Sequence, residues 1–299
     1  MTLRIGTAER DSTFLGQGQA LQAVLERNPE LVPVDVSMSA TASIENANRL
    51  AAADIDFGFM AANWIGRAKA GEPPFQRRID LRMVAPMNAG PLFFIARVDS
   101  DLRTVADLRG RRLVVGPEKS GMAQHARVLL GALGGDISDV MPVYLDFAAG
   151  ADALARGEVD AQLQCPIPNK VMTALAERIA VRILSYQPGE LEKILDAVSF
   201  YRRVIMRKGA IRGLDADIAQ AAVVNVLVTH ANVPENLVRG VAGAIFSARD
   251  ELPRLNALFA GLGELFEPLR SGGAGALEFG GVELHPGAIA AYRAAGLLQ

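Results

Sequence analysis

At 299 residues the chain has room for two domains of ordinary size, each with its own core. Half of its residues are hydrophobic and 21% are charged, and no apolar run is long enough to organise the chain around a membrane-spanning helix. A formal charge of −2 removes the electrostatic basis for binding nucleic acid or anionic membranes, and the single cysteine, Cys165, excludes an internal disulfide.

The chain opens on a strand, Leu3-Arg4-Ile5-Gly6, with no basic and apolar leader in front of it. Two readings of that start stand side by side: a leader has been removed, or the protein stays in the cytoplasm. A polar loop, Ala8-Glu9-Arg10-Asp11-Ser12, leads from the first strand into an amphipathic helix. In Val34-Asp35-Val36-Ser37-Met38-Ser39 the apolar residues fall at every second position, as in a strand with one buried face. Ser43 or Thr41 is the expected N-cap of the next helix, and the step Asp54-Ile55-Asp56-Phe57 leads to a further strand, with Asn63 at or past its end.

The pattern then repeats. Val114-Val115-Gly116-Pro117 ends a strand, Glu118-Lys119-Ser120-Gly121 forms the polar loop, and a helix over 122–133 closes on Gly134-Gly135. An Ala-rich helix, the step Glu158-Val159-Asp160-Ala161, a strand and Asn169 complete the second copy. A β-loop-α unit made twice predicts two lobes facing each other, with a small ligand in the cleft between them.

Further strands are expected at 142–146, 159–165, 181–186, 203–207 and 223–230, and helices at 188–198, 234–250 and 252–262. Pro234 suits the first turn of its helix, Ser271-Gly272-Gly273-Ala274-Gly275 reads as a loop, and His285-Pro286-Gly287 introduces a short terminal helix carrying Tyr292. The alternation of strands and helices favours parallel α/β sheets. Segments 92–97 and 223–228 read as two crossings paired side by side as a hinge. The expected domains are therefore 1–91 with 229–299 and 92–228.

Taken in order, Ile5-Gly6-Thr7, Asp99-Ser100, Val105-Ala106-Asp107-Leu108-Arg109-Gly110-Arg111-Arg112, Gly116 with Ser120-Gly121, Ala151-Asp152-Ala153-Leu154, Gly157-Glu158-Val159-Asp160-Ala161 and His285-Pro286-Gly287-Ala288 resemble the solute receptors of TAXI-class TRAP transporters. The resemblance implies an α/β, two-lobed, type II periplasmic-binding-protein-like fold with the ligand cleft between the lobes. It also implies a small carboxylate ligand, such as an organic acid or amino acid, passed to membrane transporter subunits. In place of the family's glycine-rich, tyrosine-containing first loop stands Glu9-Arg10-Asp11-Ser12-Thr13-Phe14, which bears on ligand identity.

Carboxylate binding is expected at helix starts, where backbone N–H groups and the helix dipole converge. Three starts qualify: Ser12-Thr13, Ser43-Ile44 and Ser120-Gly121. Their hydroxyls serve equally as plain N-caps. Arg10 and Lys119 occupy similar loop positions and are each either a ligand anchor or a solvated charge. Asn63 and Asn169 fall at corresponding points of the two copies and can fix a polar group or simply make a turn, as can Asn88. Gln162 and Gln164 alternate on a strand that should be buried, with Gln164 nearer its end and so the stronger ligand candidate. Tyr201 resembles an aromatic residue that closes over the ligand in related receptors, and core packing with a satisfied hydroxyl is the alternative. Trp64 reads as a lid or a structural side chain.

An enzyme would need more. His125, His230 and His285 lack metal-ligand spacing, Cys165 has no histidine near it in sequence, and no nucleophile elbow or nucleotide loop is present. The sequence therefore predicts a monomeric solute receptor with no catalytic residue, metal or cofactor, and no nucleic-acid partner. Periplasmic location follows from the resemblance, and a cytoplasmic enzyme or ligand sensor on the same fold is the alternative.

Overall fold

The computed structural model describes residues 2–10, 12–118 and 120–299. In chain order the elements are β1 (Leu3–Gly6), α1 (Thr13–Leu25), β2 (Val34–Ser37), α2 (Ser43–Ala51), β3 (Phe57–Ala61), α3 (Ala62–Ala70), β4 (Leu81–Pro91), β5 (Phe93–Arg97), β6 (Arg112–Val114) and α4 (Gly121–Ala132). Then come β7 (Met141–Val143), α5 (Phe147–Arg156), β8 (Ala161–Gln164), α6 (Lys170–Arg178), β9 (Val181–Ile183), α7 (Glu190–Ala197), β10 (Tyr201–Met206), β11 (Ile218–His230) and α8 (Glu235–Ser247). The chain ends with α9 (Leu252–Leu255), α10 (Leu262–Phe266), α11 (Pro268–Gly272) and α12 (Pro286–Ala294).

These elements form two units, Met1–Asn88 with Val224–Gln299 and Ala89–Val223. The chain leaves the first unit inside β4 and returns to it inside β11. The sequence pattern placed these passages a few residues later, after residues 91 and 228.

In the first unit β2, β1 and β3 are parallel, and β11 lies antiparallel against β3. In the second, β7, β6 and β8 are parallel, while β5 runs antiparallel between β8 and β9. Both sheets are thus mixed rather than wholly parallel. Each unit nevertheless keeps a parallel core whose strands point their carboxyl ends to one edge.

The register of both parallel cores is set by the same clamp. Arg4 donates its backbone N–H to Asp56 Oδ2 at 2.9 Å, and its guanidinium reaches the same carboxylate at 3.1 and 2.8 Å. Asp56 returns its own N–H to the Arg4 carbonyl at 2.9 Å. Arg112 and Asp160 repeat every bond, with the backbone N–H at 2.7 Å, the guanidinium at 3.1 and 2.8 Å, and the return bond at 2.9 Å. A carboxylate that accepts a main-chain N–H and two guanidinium N–H groups holds two chain segments at once. The Arg112 guanidinium accordingly keeps the Asp160 carboxyl below its ordinary range.

Counting from this clamp changes how the two copies correspond. Gly6 stands two residues after Arg4 and therefore matches Val114, two residues after Arg112, rather than Gly116. Gly116 is instead the turn residue of the second copy, at φ +82°, where a Cβ would come within 3.0 Å of Ser120 Oγ and 3.1 Å of Met122 Cβ.

Four local expectations are corrected. Segments 92–97 and 223–228 do not pair side by side as a hinge: β5 is enclosed between β8 and β9, and β11 pairs with β3, β4 and β10. The helix expected over 252–262 is broken, because Asn256 accepts the N–H of Leu258 to cap a separate 3-10 turn and Gly261 takes φ +77°. The glycine-rich 271–275 segment is not loop throughout: α11 runs into Gly272 and a 3-10 turn covers Ala274–Leu277. Pro234 is the N-cap of α8 rather than its first residue.

The terminal motif has a steric purpose. His285 Nδ1 accepts the Gly287 N–H at 3.1 Å and caps α12, which packs on α8. A Cβ at Gly287 would meet the Glu235 carbonyl at 2.3 Å and the Arg239 nitrogen at 2.9 Å, so only glycine permits this approach. Tyr292, fully buried, then donates its hydroxyl to the Val84 carbonyl at 2.6 Å. In the second unit Phe93, Ile95, Val114, Leu154, Met172 and Leu175 form a core, each side chain contributing about 1.5–3 kcal/mol on burial.

Removing one acceptor of the clamp leaves part-buried N–H and guanidinium donors without a partner. Asp56→Ala and Asp160→Ala are each expected to lower unfolding free energy by about 1–3 kcal/mol, read by urea denaturation. Losses within experimental error in both variants would show that the clamp does not organise the sheets.

Candidate functional site

Each unit presents polar groups at the carboxyl edge of its parallel strands, where α/β folds place ligands. In the first unit Ser12 is the N-cap of α1, its Oγ accepting the Leu15 N–H at 3.2 Å, and Thr13 is the exposed first residue of the helix. Arg10 is exposed and lines, with Ser12, Leu15, Gly16, Gln19, Val36 and Met38, a groove of about 570 Å³ beside β2. The groove mixes a cation and a helix start with apolar walls.

Ser43 does not cap α2. Ala42 holds the N-cap position at φ +45°, while the Ser43 Oγ is buried and accepts the Ala61 N–H at 3.0 Å. The Glu45 carboxylate takes the Ala40 and Thr41 N–H groups instead. Ser43 is therefore spent on holding the end of β3. Asn63 lies in the first turn of α3, and its Oδ1 is buried without a hydrogen-bond partner among the described residues.

The same unit holds an amide relay that joins Asn88, a candidate from the sequence, to Gln17 and Asn225, which were not candidates. Gln17, fully buried on α1, donates its Nε2 to Asn88 Oδ1 at 3.1 Å, and Asn225 Nδ2 reaches the same oxygen at 3.2 Å. Gln17 was legible, since it occupies the position between Phe14 and Leu21 on the apolar face of α1, where a polar side chain needs a reason. Asn46 serves structure, donating to the Thr7 and Phe59 carbonyls at 2.7 and 2.9 Å.

In the second unit β6, β8 and β9 run in one direction, so the groups that follow them share one edge. Ser120 caps α4, its Oγ accepting the Ala123 N–H at 3.1 Å, and Gly121 is the first helical residue. A Cβ at Gly121 would meet nothing within 4 Å, so neither space nor strain requires a glycine there. Lys119 lies outside the described residues. Gln164, fully buried, ends β8, and Asn169 caps α6 by accepting the Met172 N–H at 3.1 Å. Asn63 and Asn169 therefore do not correspond, the one inside a helix and the other at a cap.

Tyr201 is buried, its hydroxyl 2.7 Å from His125 Nδ1. Phe200 packs edge-on against it at 4.8 Å. Burial, with Tyr186 and Cys165 nearby, raises the Tyr201 hydroxyl far above its usual range, so it stays protonated. Tyr186, just past β9, has a buried hydroxyl with no partner among the described residues. Burial pushes the Cys165 thiol up to about 12, leaving it an unreactive thiol. Trp64 packs on Phe75 with Arg67 over its ring, a structural arrangement.

No lysine or arginine is buried among the described residues, so the buried donors of both units are neutral groups, and the Arg10 cation of the first unit stands exposed. Among the same residues no group of three or more histidines, cysteines or carboxylates could hold a metal ion. Among the described residues no helix is long and apolar enough to cross a membrane.

The two mixed sheets define a periplasmic-binding-protein-like fold, shared with solved structures of low sequence identity. The aliphatic sulphonate binding protein SsuA of Escherichia coli matches at TM-score 0.50 with 20% identity, over 87% of this chain and 79% of that one. A putative sulfonate-binding SsuA of Methylobacillus flagellatus KT matches at 0.53 with 14% identity, over 100% and 88%. A TctC solute binding protein from Polaromonas matches at 0.55 with 16% identity, over 88% and 94%. The NMT1-like family model matches residues 5–296, and the chain belongs to that family.

Burial holds the His125 imidazole down to about 4 from 6.5. The unfolded chain therefore binds the proton that the folded one refuses, and stability is kept above pH 6.5 and lost as pH falls toward 4. The loss is about 3 kcal/mol across that window. Urea denaturation at pH 7 and pH 4.5 should show His125→Gln losing correspondingly less stability than the parent, and equal losses would contradict the assignment.

Proposed function

We propose that the chain is a solute receptor that binds a small organic oxyanion, a carboxylate in the first instance, and hands it to a membrane transporter. The observation that carries this reading is the set of neutral donors at one strand edge of the second unit: the capped start of α4, the buried Gln164 amide and the Tyr186 hydroxyl. Such donors suit an anion that must be both held and released, since they bind without the permanent charge that a buried ion pair would commit.

Membership of the NMT1-like family and the fold shared with solved binding proteins support a receptor rather than an enzyme. The motif order that resembles TAXI-class receptors supports a TRAP-type recipient and a periplasmic setting, and the sulfonate-binding fold neighbours supply the competing ligand class. Arg10 and Ser12 in the first unit, with Thr13 beside them, form the second donor set of this reading. Lys119 is proposed from the sequence alone. Ser43 is set aside because its hydroxyl is engaged with Ala61.

A thermal-shift screen over carboxylates, amino acids and sulfonates tests the reading, because a ligand of the folded state raises the melting temperature by mass action. At least one carboxylate is expected to raise Tm and to be recovered unchanged, and Arg10→Ala is expected to weaken it several-fold. A shift confined to sulfonates would transfer the ligand class, and a chemically converted hit would overturn the receptor.

A further inference from the structure

The hydrogen-bond chain around Gln164 fixes which end of its amide is left without a partner among the described residues. Met172 contributes a backbone N–H, which can only donate, so Asn169 must turn its Oδ1 toward it, at 3.1 Å. Asn169 Nδ2 is then the donor on its other side, and it lies 3.1 Å from Gln164 Oε1. Gln164 is thereby left with Nε2 as its free end. That group is buried, has no partner among the described residues, and cannot exchange places with the oxygen without breaking the bond to Asn169.

A buried donor without an acceptor carries an uncompensated desolvation penalty, which a ligand acceptor placed there would relieve. Gln164 closes β8, on the edge where Ser120 starts α4 and where the Tyr186 hydroxyl, without a partner among the described residues, follows β9. Both neighbours can also donate.

Resting on the receptor reading above, we infer that Gln164 Nε2 is an obligate donor to an acceptor oxygen of the ligand, and that Asn169 is not a ligand contact but the residue that sets this polarity from the N-cap of α6. The group bound there is a carboxylate, sulfonate or carbonyl oxygen. Ammonium and other donor-only groups are rejected, because Gln164 offers them no lone pair.

Asn169→Asp separates positioning from structure. Aspartate keeps the N-cap bond to Met172, since its oxygen accepts as well as that of asparagine, but it cannot donate to Gln164. Gln164 must then rotate its amide, giving Nε2 to the aspartate and turning Oε1 outward. The polarity of the site inverts while the helix cap survives.

The test uses the full chain with isotope-labelled glutamine side-chain amides, the Gln164 signal assigned by its loss in Gln164→Leu. Succinate, 2-oxoglutarate and propane-1-sulfonate serve as acceptor probes and 1,4-diaminobutane as the donor-only probe. At least one acceptor probe is expected to move the Gln164 amide protons, and its Kd is expected to weaken at least tenfold in both Gln164→Leu and Asn169→Asp, with the melting temperature of Asn169→Asp unchanged. An acceptor probe that binds without moving that signal, or with unchanged Kd in both variants, overturns the inference and leaves the receptor standing. Binding of the diamine alone overturns the polarity. Failure of every acceptor probe to bind sinks the oxyanion reading and this inference with it.

Discussion

The fold rests on one side-chain-to-backbone interaction made twice. Arg4 with Asp56 and Arg112 with Asp160 tie one parallel strand to the residue just before its neighbour, through the same four bonds in each unit. Parallel strands carry no turn to fix their register, so a side chain that grips the neighbouring main chain does that work. A slip of one residue would turn Ile5 and Leu113, both fully buried, toward the opposite face. The same register brings the loops before Ser12 and Ser120 to the carboxyl edge of their sheets, where α1 and α4 begin.

That edge is polar without being charged inside. Four of its buried polar side chains are held by a neighbour that leaves them little freedom: Gln17 on Asn88, Ser43 on the Ala61 amide, Gln164 on Asn169, and His125 beside Tyr201. Burial keeps His125 neutral and Tyr201 protonated, so neither adds charge at neutral pH. A site of fixed dipoles offers an anion stabilisation with little reorganisation, which fits capture and release better than bond chemistry.

Much of this was legible in the chain because it depends on local rules. The acid-apolar-Asp steps, the serine caps of α1 and α4, and the capped terminal helix follow from short-range pattern. The paths of β4 and β5 did not, since strand order depends on long-range pairing that periodicity does not encode. Gly6 and Gly116 look equivalent as letters, yet the clamp shows that one is a strand residue and the other a turn. Ser43 looked like a cap because the helix begins there, but its hydroxyl answers to β3 across the sheet edge. Gln17 left a readable trace, a polar letter on the apolar face of α1, whereas Tyr186 left none, because only the folded chain shows that its buried hydroxyl has no partner among the described residues.

The most direct measurement is the identity of what the protein carries. Native mass spectrometry of protein purified without denaturation, followed by release and identification of the bound molecule, reads this without any assumed ligand. The account predicts one small acid per chain, bearing a carboxylate or sulfonate and chemically unaltered after prolonged incubation with the protein. A retained molecule with no acceptor oxygen, or one that the protein converts, would contradict it.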